Sequence, residues 1–203
     1  VMIVEDQTMP RELFELRIQA SEHFEVALSI DNAALADVYC LRFPVDLILM
    51  DVVTRNGESG LDAAERIKRA FPQIKIIIVT SMPECSYLKR AKEIGVESFW
   101  YKEEQRESLL DVMERTMNGE SVYPGASPEL TLGMSSSCQF TERELDILRE
   151  ITSGDTNQEI ADRLNMSVAT VKTHILNMLE KTGFRNRTEL AVRARESGLV
   201  ILN

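Results

Sequence analysis

At 203 residues, 44% of them hydrophobic and 28% charged, the chain has the make-up of folded globular domains rather than of a disordered tail, and its length suits two domains. No apolar run approaches the roughly 18–20 residues of a membrane span and no charged-then-apolar leader opens the sequence, so no membrane partner and a place in the cytoplasm are expected. The net charge of −10 argues against a nucleic-acid partner until its distribution is considered: residues 163–195 carry seven bases against two acids. Cys40, Cys85 and Cys138 are odd in number, far apart and without a Cys-x-x-Cys pair, and are expected to be reduced thiols rather than a disulfide frame or a zinc site.

The first 118 residues alternate strand and helix patterns. Strands are predicted at 1–5, 25–30, 46–51, 74–80 and 97–101, with amphipathic helices near 10–21, 32–43, 60–71, 84–94 and 106–118. The run Lys75-Ile76-Ile77-Ile78-Val79 is β-branched and nearly continuous, as expected of a strand covered on both faces. Five such units predict an α/β domain, a doubly wound, flavodoxin-like, five-stranded parallel sheet, over 1–118. Residues 119–139, rich in Gly, Pro and Ser, predict a linker, either flexible or holding one short helical turn near 128–132. Residues 140–203 predict a small all-α domain. Thr141 opens a helix to about 152, Asp155 or Thr156 caps a short helix over 157–164, and Asn165-Met166-Ser167 is a turn. A longer helix then runs to about Lys181 and stops at Gly183, and a last one covers about 187–197 and ends at Gly198. Short helix, tight turn and longer helix make a helix-turn-helix.

Two of the predicted strands stop in acids, Glu5-Asp6 after the first and Asp51 after the third. Ligands of open parallel sheets bind at the carboxyl ends of the strands, where Thr80 and Lys102 also fall. Each residue alone reads as a loop acid, a cap or a surface lysine; their convergence on one edge is what points to chemistry. Mg²⁺ takes oxygen ligands from one or two carboxylates and several waters. Asp6 and Asp51 would supply oxygens directly, Glu5 through water, and the Val53 carbonyl would complete the protein set. Asp51 is then a carboxylate nucleophile for phosphorus, and Thr80 and Lys102 are donors for the transferred phosphoryl oxygens.

The elements Val4-Glu5-Asp6, Leu49-Met50-Asp51, Val79-Thr80-Ser81 and Phe99-Trp100-Tyr101-Lys102 resemble the receiver domain of bacterial two-component response regulators. The resemblance implies that Asp51 takes a phosphoryl group from a phosphohistidine on a partner sensor histidine kinase, that Thr80 moves toward it and that Phe99 changes rotamer. Three departures stand out. Thr54-Arg55 occupies the place where Met-Pro is frequent, the usual glycine is Gly60 or Gly57, and Glu103 rather than proline follows Lys102. They predict an altered path for the loop 52–60.

Residues 140–200 resemble the LuxR-type DNA-binding module of the NarL/FixJ group through Phe140-Thr141-Glu142-Arg143-Glu144, Asn157-Gln158-Glu159-Ile160-Ala161, Ser167 to His174 and Gly183 to Leu190. Leu164, Met166, Val168, Val171, Ile175, Met178 and Leu179 can face a small core while Thr170, Lys172, Thr173, Leu176 and Asn177 face outward as a recognition helix does. Lys172 and Thr173 are the candidates for base edges; Thr170, His174, Arg185 and Arg187 for phosphates; Leu176 for a thymine methyl or for no contact. A module with so few bases is expected to bind double-stranded DNA as a homodimer when phosphorylated.

The expected function is a DNA-binding transcription regulator switched by phosphorylation of Asp51 with Mg²⁺, through dimerisation or release of the DNA-binding domain. It accepts and slowly loses a phosphoryl group and is not a turnover enzyme. A phosphatase would want an acid two residues after the nucleophile, where Val53 stands. The alternative is a phosphorylation-independent regulator with a degenerate receiver.

Overall fold

The computed structural model describes residues 1–55, 58–82, 85–102, 108–125, 130–197 and 199–200. The chain divides into two compact units, one of Val1–Ser81 with Tyr87–Gly125 and one of Met82–Ser86 with Ala126–Asn203.

The first unit is the expected doubly wound sheet. In chain order it runs β1 (Met2–Val4), α1 (Thr8–Gln19), β2 (Leu28–Ile30), a 3₁₀ turn (Ala33–Leu35), α2 (Ala36–Cys40) and β3 (Leu47–Asp51). A short hairpin follows, β4 (Val53–Thr54) with β5 (Glu58–Ser59), then α3 (Gly60–Ala70), β6 (Lys75–Thr80), α4 (Cys85–Ile94), β7 (Ser98–Tyr101) and α5 (Leu109–Met117). The parallel order is β2-β1-β3-β6-β7. Side chains alternate between its faces. Ile3, Leu49, Ile77, Val79 and Trp100 pack with Phe14 and Ile18 of α1 and with Leu109, Val112 and Met113 of α5. The alternate residues Val4, Ile48, Met50, Ile76 and Ile78 are equally buried, as are Leu61, Ala64 and Ile67 of α3. This double coverage is why the central strands read as continuous apolar runs. The edge strand β2 is shorter than its predicted span and only half-buried, having a neighbour on one side alone.

Two stretches differ from the sequence expectation. The second helix is broken: Asn32 caps the amide of Ala34, and a 3₁₀ turn precedes the five residues of α2. The loop 52–60 forms the antiparallel pair Val53↔Ser59 and Thr54↔Glu58. It is fastened to the segment after β2, where the buried Thr54 hydroxyl accepts the Ala33 amide at 2.9 Å and Arg55 forms an ion pair with Asp31. Gly57 and Glu103 lie outside the described residues.

The second unit contains the hairpin β8 (Thr131–Leu132) and β9 (Ser135–Ser136), a 3₁₀ turn (Ser137–Gln139), α6 (Glu142–Ser153), α7 (Asn157–Arg163), α8 (Val168–Thr182) and α9 (Arg187–Ser197). The caps fall on the predicted residues. Thr141 with Glu144 and Thr156 with Glu159 form capping boxes, Ser167 caps α8, and Gly183 ends it with φ of 74°. Asn165, with φ of 52°, makes the left-handed turn between α7 and α8. Leu145, Leu148, Ile160, Val171, Ile175, Met178 and Leu190 form the core, joined by Leu132.

The span expected as linker is ordered at both ends. Phe99 donates its amide to the Val122 carbonyl at 2.9 Å, so residues 119–123 lie along the sheet edge, and Leu132 is buried with the helices. Gly, Pro and Ser broke helix and strand patterns there without preventing docking by single side chains. Cys40 carries a free thiol, but Cys138 is disulfide-bonded, against the expectation of reduced cysteines; spacing along a chain does not report which sulfurs meet in space.

Candidate phosphoacceptor site and DNA-facing helix

The parallel register brings the acids together. Met50 pairs with Val4 and Asp51 with Val79, so Glu5, Asp6, Asp51 and Thr80 all fall at one carboxyl edge. Carboxylate oxygens of Glu5, Asp6 and Asp51 lie within 4.8 Å of one another. Glu5 is fully buried and Asp51 only 5% exposed, while Asp6 is partly open. Lys102, just past β7, donates to Glu5 Oε2 at 2.6 Å and to Asp51 Oδ2 at 2.7 Å. The second oxygen of Asp51 accepts the Val52 amide at 2.7 Å, and the second oxygen of Glu5 accepts the Gln7 amide at 3.1 Å. Thr80 is buried at the end of β6, and its carbonyl accepts the Lys102 amide at 2.9 Å.

Glu5 is also bonded to Lys102, a partner 97 residues away that the sequence did not announce. Val53 sits in the hairpin with its backbone paired to Ser59. Phe99 is not at the acid edge. It lies three residues back on β7, opposite Ile78, with its ring 5.0 Å from that of Tyr101 and 6.4 Å from that of Tyr123. Tyr101 and Tyr123 were not singled out in the sequence; the alternation that puts Phe99 and Tyr101 on one face was the available signal.

The acids form a set of hard oxygen donors. Two ligands of an octahedral Mg²⁺ stand about 3–4 Å apart, so closing a set whose oxygens already lie within 4.8 Å needs only small side-chain movements. Burial is the main force on Asp51, pushing its carboxyl up to about 7, with Glu5 adding to the rise and Lys102 opposing it. Burial pulls the Lys102 ammonium down, but Asp51 and Glu5 outweigh it and the net shift is upward. An acid whose folded value lies above its unfolded one, near 3.9, favours folding below that lower value and loses this contribution as pH rises toward 7. In EDTA, Asp51→Asn should therefore be more stable than the wild type at pH 8, and the gap should shrink at pH 4; denaturant midpoints at the two pH values measure it.

The other predicted residues lie on α8 and after it. Val171, Ile175 and Met178 are buried, and Thr170, Lys172, Thr173, Leu176 and Asn177 form the exposed face. Leu176 is 60% exposed. The Thr170 hydroxyl shares a hydrogen bond with Ser167 at the start of the helix. His174 is half-buried and Arg185 is exposed. Arg187, expected at a phosphate, is half-buried and donates to Asn157 Oδ1 at 2.6 Å and to the Asp155 carbonyl, so it ties the start of α9 to the start of α7. Lys181 is likewise spent inside the unit, on Glu144 at 2.7 Å.

Comparison with known families agrees with both halves. Residues 1–114 match the response regulator receiver domain, and residues 138–194 match the luxR family of bacterial regulatory proteins. The chain belongs to the response regulators, with a receiver domain followed by a LuxR-type DNA-binding domain. Among individual proteins it is 31% identical to the response regulator protein VraR of Staphylococcus aureus (strain Mu3) and 32% identical to VraR of Staphylococcus epidermidis (strain RP62A), in each case over 98% of both chains. In fold it is similar to RcsB from Salmonella enterica serovar Typhimurium, solved bound to a promoter in the presence of the phosphomimetic BeF₃⁻. There the TM-score is 0.55 at 17% identity, over 95% of this chain and 96% of that one. Among the described residues no helix is long and apolar enough to cross a membrane.

Proposed function

We propose that Asp51 accepts a phosphoryl group from a phosphohistidine of a sensor histidine kinase, and that this modification controls DNA binding by residues 140–203. The observation that carries the reading is the Asp51 carboxylate at the sheet edge, 2.7 Å from the Lys102 ammonium and grouped with Glu5 and Asp6. In the transfer an Asp51 oxygen forms the new O–P bond as the P–N bond breaks, and the imidazole, already protonated on its other ring nitrogen, leaves neutral with the P–N electron pair. Lys102 and the Thr80 hydroxyl are the donors for the phosphoryl oxygens. Asp6, Asp51 and the Val53 carbonyl would hold Mg²⁺, which when bound supplies the positive charge that lets an anionic carboxylate approach an anionic phosphoryl group. Glu5 keeps Lys102 aimed at the site.

Residues 1–118 are the receiver, 119–139 the connection and 140–203 the DNA-binding domain. The protein works in the cytoplasm as a regulator of transcription, not as a turnover enzyme. Phosphorylation favours a homodimer or frees the DNA-binding domain, and a dimer doubles the few cationic contacts and reads two half-sites about one helical turn apart. The promoter-bound state of the RcsB neighbour supports the DNA partner.

The test is DNA affinity with and without BeF₃⁻ and Mg²⁺, for wild type and Asp51→Asn. The mimic should raise wild-type affinity about 5- to 150-fold and leave Asp51→Asn unchanged. Equal binding by both proteins under both conditions would overturn the proposal in favour of a degenerate receiver. On the recognition face, Lys172→Ala should cost about 1–3 kcal/mol of specific binding, relax preference at one base pair and leave stability within roughly 0.5 kcal/mol. A competition assay against single-base operator variants reads the first two.

A further inference from the structure

The carboxyl end of α8 is held from outside the helix-turn-helix. A helix leaves its last four carbonyls without partners of its own. Two of those in α8 are met by the hairpin of β8 and β9. The Ser135 hydroxyl donates to the Lys181 carbonyl at 2.7 Å, and the Met134 amide donates to the Thr182 carbonyl at 3.0 Å. The fit is close. Gly133 has φ of 62°, and a Cβ there would stand 2.1 Å from the Thr182 oxygen, while one on Gly183 would stand 2.5 Å from Met134 Cε. The hairpin is itself fixed. Leu132 is buried with the helices, and the Ser137 amide closes the base of the hairpin on the Leu130 carbonyl at 2.7 Å. The Lys181 side chain is held on the same segment, donating to the Gln139 carbonyl at 3.0 Å as well as to Glu144.

We infer that this hairpin sets the angle of α8, so that Gly133 and Ser135 are positioning residues for sequence readout and touch no DNA themselves. The inference rests on the reading of α8 as the helix that meets base edges. Residues 119–139 contain no Lys, Arg or His, and without a cation the hairpin gains little from phosphates. Its effect therefore passes through the helix. Thr173 lies about 14 Å from Thr182 along the axis, at 1.5 Å per residue. A swing of roughly 5° about the carboxyl end moves Lys172 and Thr173 by about 1 Å, and donor–acceptor distances in hydrogen bonds span only about 0.5 Å. A base contact is lost by such a swing. A charge beside a phosphate loses little, because its attraction falls off over about 10 Å. The hairpin thus bears on which sequence is bound more than on whether DNA is bound.

Competition binding on the full chain, with BeF₃⁻ and Mg²⁺ present, tests this. The probes are a duplex that the wild type selects from a random-sequence pool and an unrelated duplex of equal length. Ser135→Ala removes one hydroxyl and should lower affinity for the selected duplex roughly tenfold, leaving the unrelated duplex within about twofold. Gly133→Ala, which pushes the turn off Thr182, should act in the same direction and more strongly. On a background of Lys172→Ala with Thr173→Ala, Ser135→Ala should lose most of its effect, because the contacts it misaligns are already gone. Equal losses on both duplexes, or a loss that simply adds to that of the background, would make the hairpin a structural brace and overturn the inference. Unchanged binding by both hairpin variants overturns it as well, and in each of these cases the reading of α8 stands. If the wild type selects no duplex, or if Lys172→Ala with Thr173→Ala leaves its preference unchanged, the reading of α8 fails and this inference with it.

Discussion

Lys102→Met should destabilise the receiver by about 3–5 kcal/mol at pH 8 in EDTA, the cost of leaving buried charge without its partner. Glu5 is fully buried and Asp51 nearly so, and the lysine is the cation that bonds both, at 2.6 and 2.7 Å. Methionine keeps most of the aliphatic length, so the loss is electrostatic rather than a cavity. The pattern of rescue separates this cause from a packing defect. Asp51→Asn or Glu5→Gln placed on the Lys102→Met background should recover much of the loss, because each removes one of two repelling carboxylates. Lowering the pH should recover it too, since Asp51 already holds its proton up to about 7 with the lysine present and holds it more strongly without it. Urea midpoints for the four proteins at pH 5 and pH 8 measure it. A loss that is equal at both pH values and untouched by the second substitutions would mean that Lys102 matters only as packing. The site is thus balanced by a cation on a side chain, which explains how three acids share one edge of a buried sheet.

That edge was legible in the sequence because it follows from local pattern alone. Apolar runs mark strands, strands of a doubly wound sheet share a carboxyl end, and Asp6, Asp51, Thr80 and Lys102 stand where those runs stop. The caps of α6, α7 and α8 were legible for the same reason, since Thr141, Thr156 and Ser167 act on amides three residues away. What the sequence hid depends on partners far apart. Glu5 looks like a loop acid until Lys102 arrives from the last strand. Arg187 reads as a phosphate candidate, and its bonds to Asn157 and the Asp155 carbonyl are not visible in the sequence. Tyr123 sits in a stretch of Gly and Pro, and nothing nearby announces that Ser98 and Phe99 will receive its neighbour's backbone. The 3₁₀ turn before α2 is capped by one side chain, Asn32 on the Ala34 amide, which a helical period does not register.

Gly60→Ala should damage the receiver more than any other single methyl group considered for it. A Cβ at residue 60 would stand 1.7 Å from the Asp51 carbonyl oxygen and 2.9 Å from its carbonyl carbon, far inside van der Waals contact and against backbone that cannot rotate away. The close approach is built in. The Gly60 amide bonds the Val52 carbonyl at 2.8 Å, so the first turn of α3 rests directly on the strand end that carries the Asp51 carboxylate. Relief requires α3 or the end of β3 to move. The expected cost is about 4 kcal/mol or more, the range reserved for core overpacking and forced backbone shifts. Because the strand end moves with it, the surviving folded fraction should also lose response to BeF₃⁻ and Mg²⁺. Gly125→Ala is the control: nothing lies within 4 Å of its added Cβ, and it should stay within about 0.5 kcal/mol of wild type. Thermal denaturation followed at Trp100, the single tryptophan and a receiver residue, reads the effect on this unit. If Gly60→Ala were as stable and as responsive as Gly125→Ala, the contact between α3 and Asp51 would be wrong. Gly60, one of the two candidates for the usual glycine, is then the residue that lets the hairpin after Asp51 return to the sheet without displacing the carboxylate.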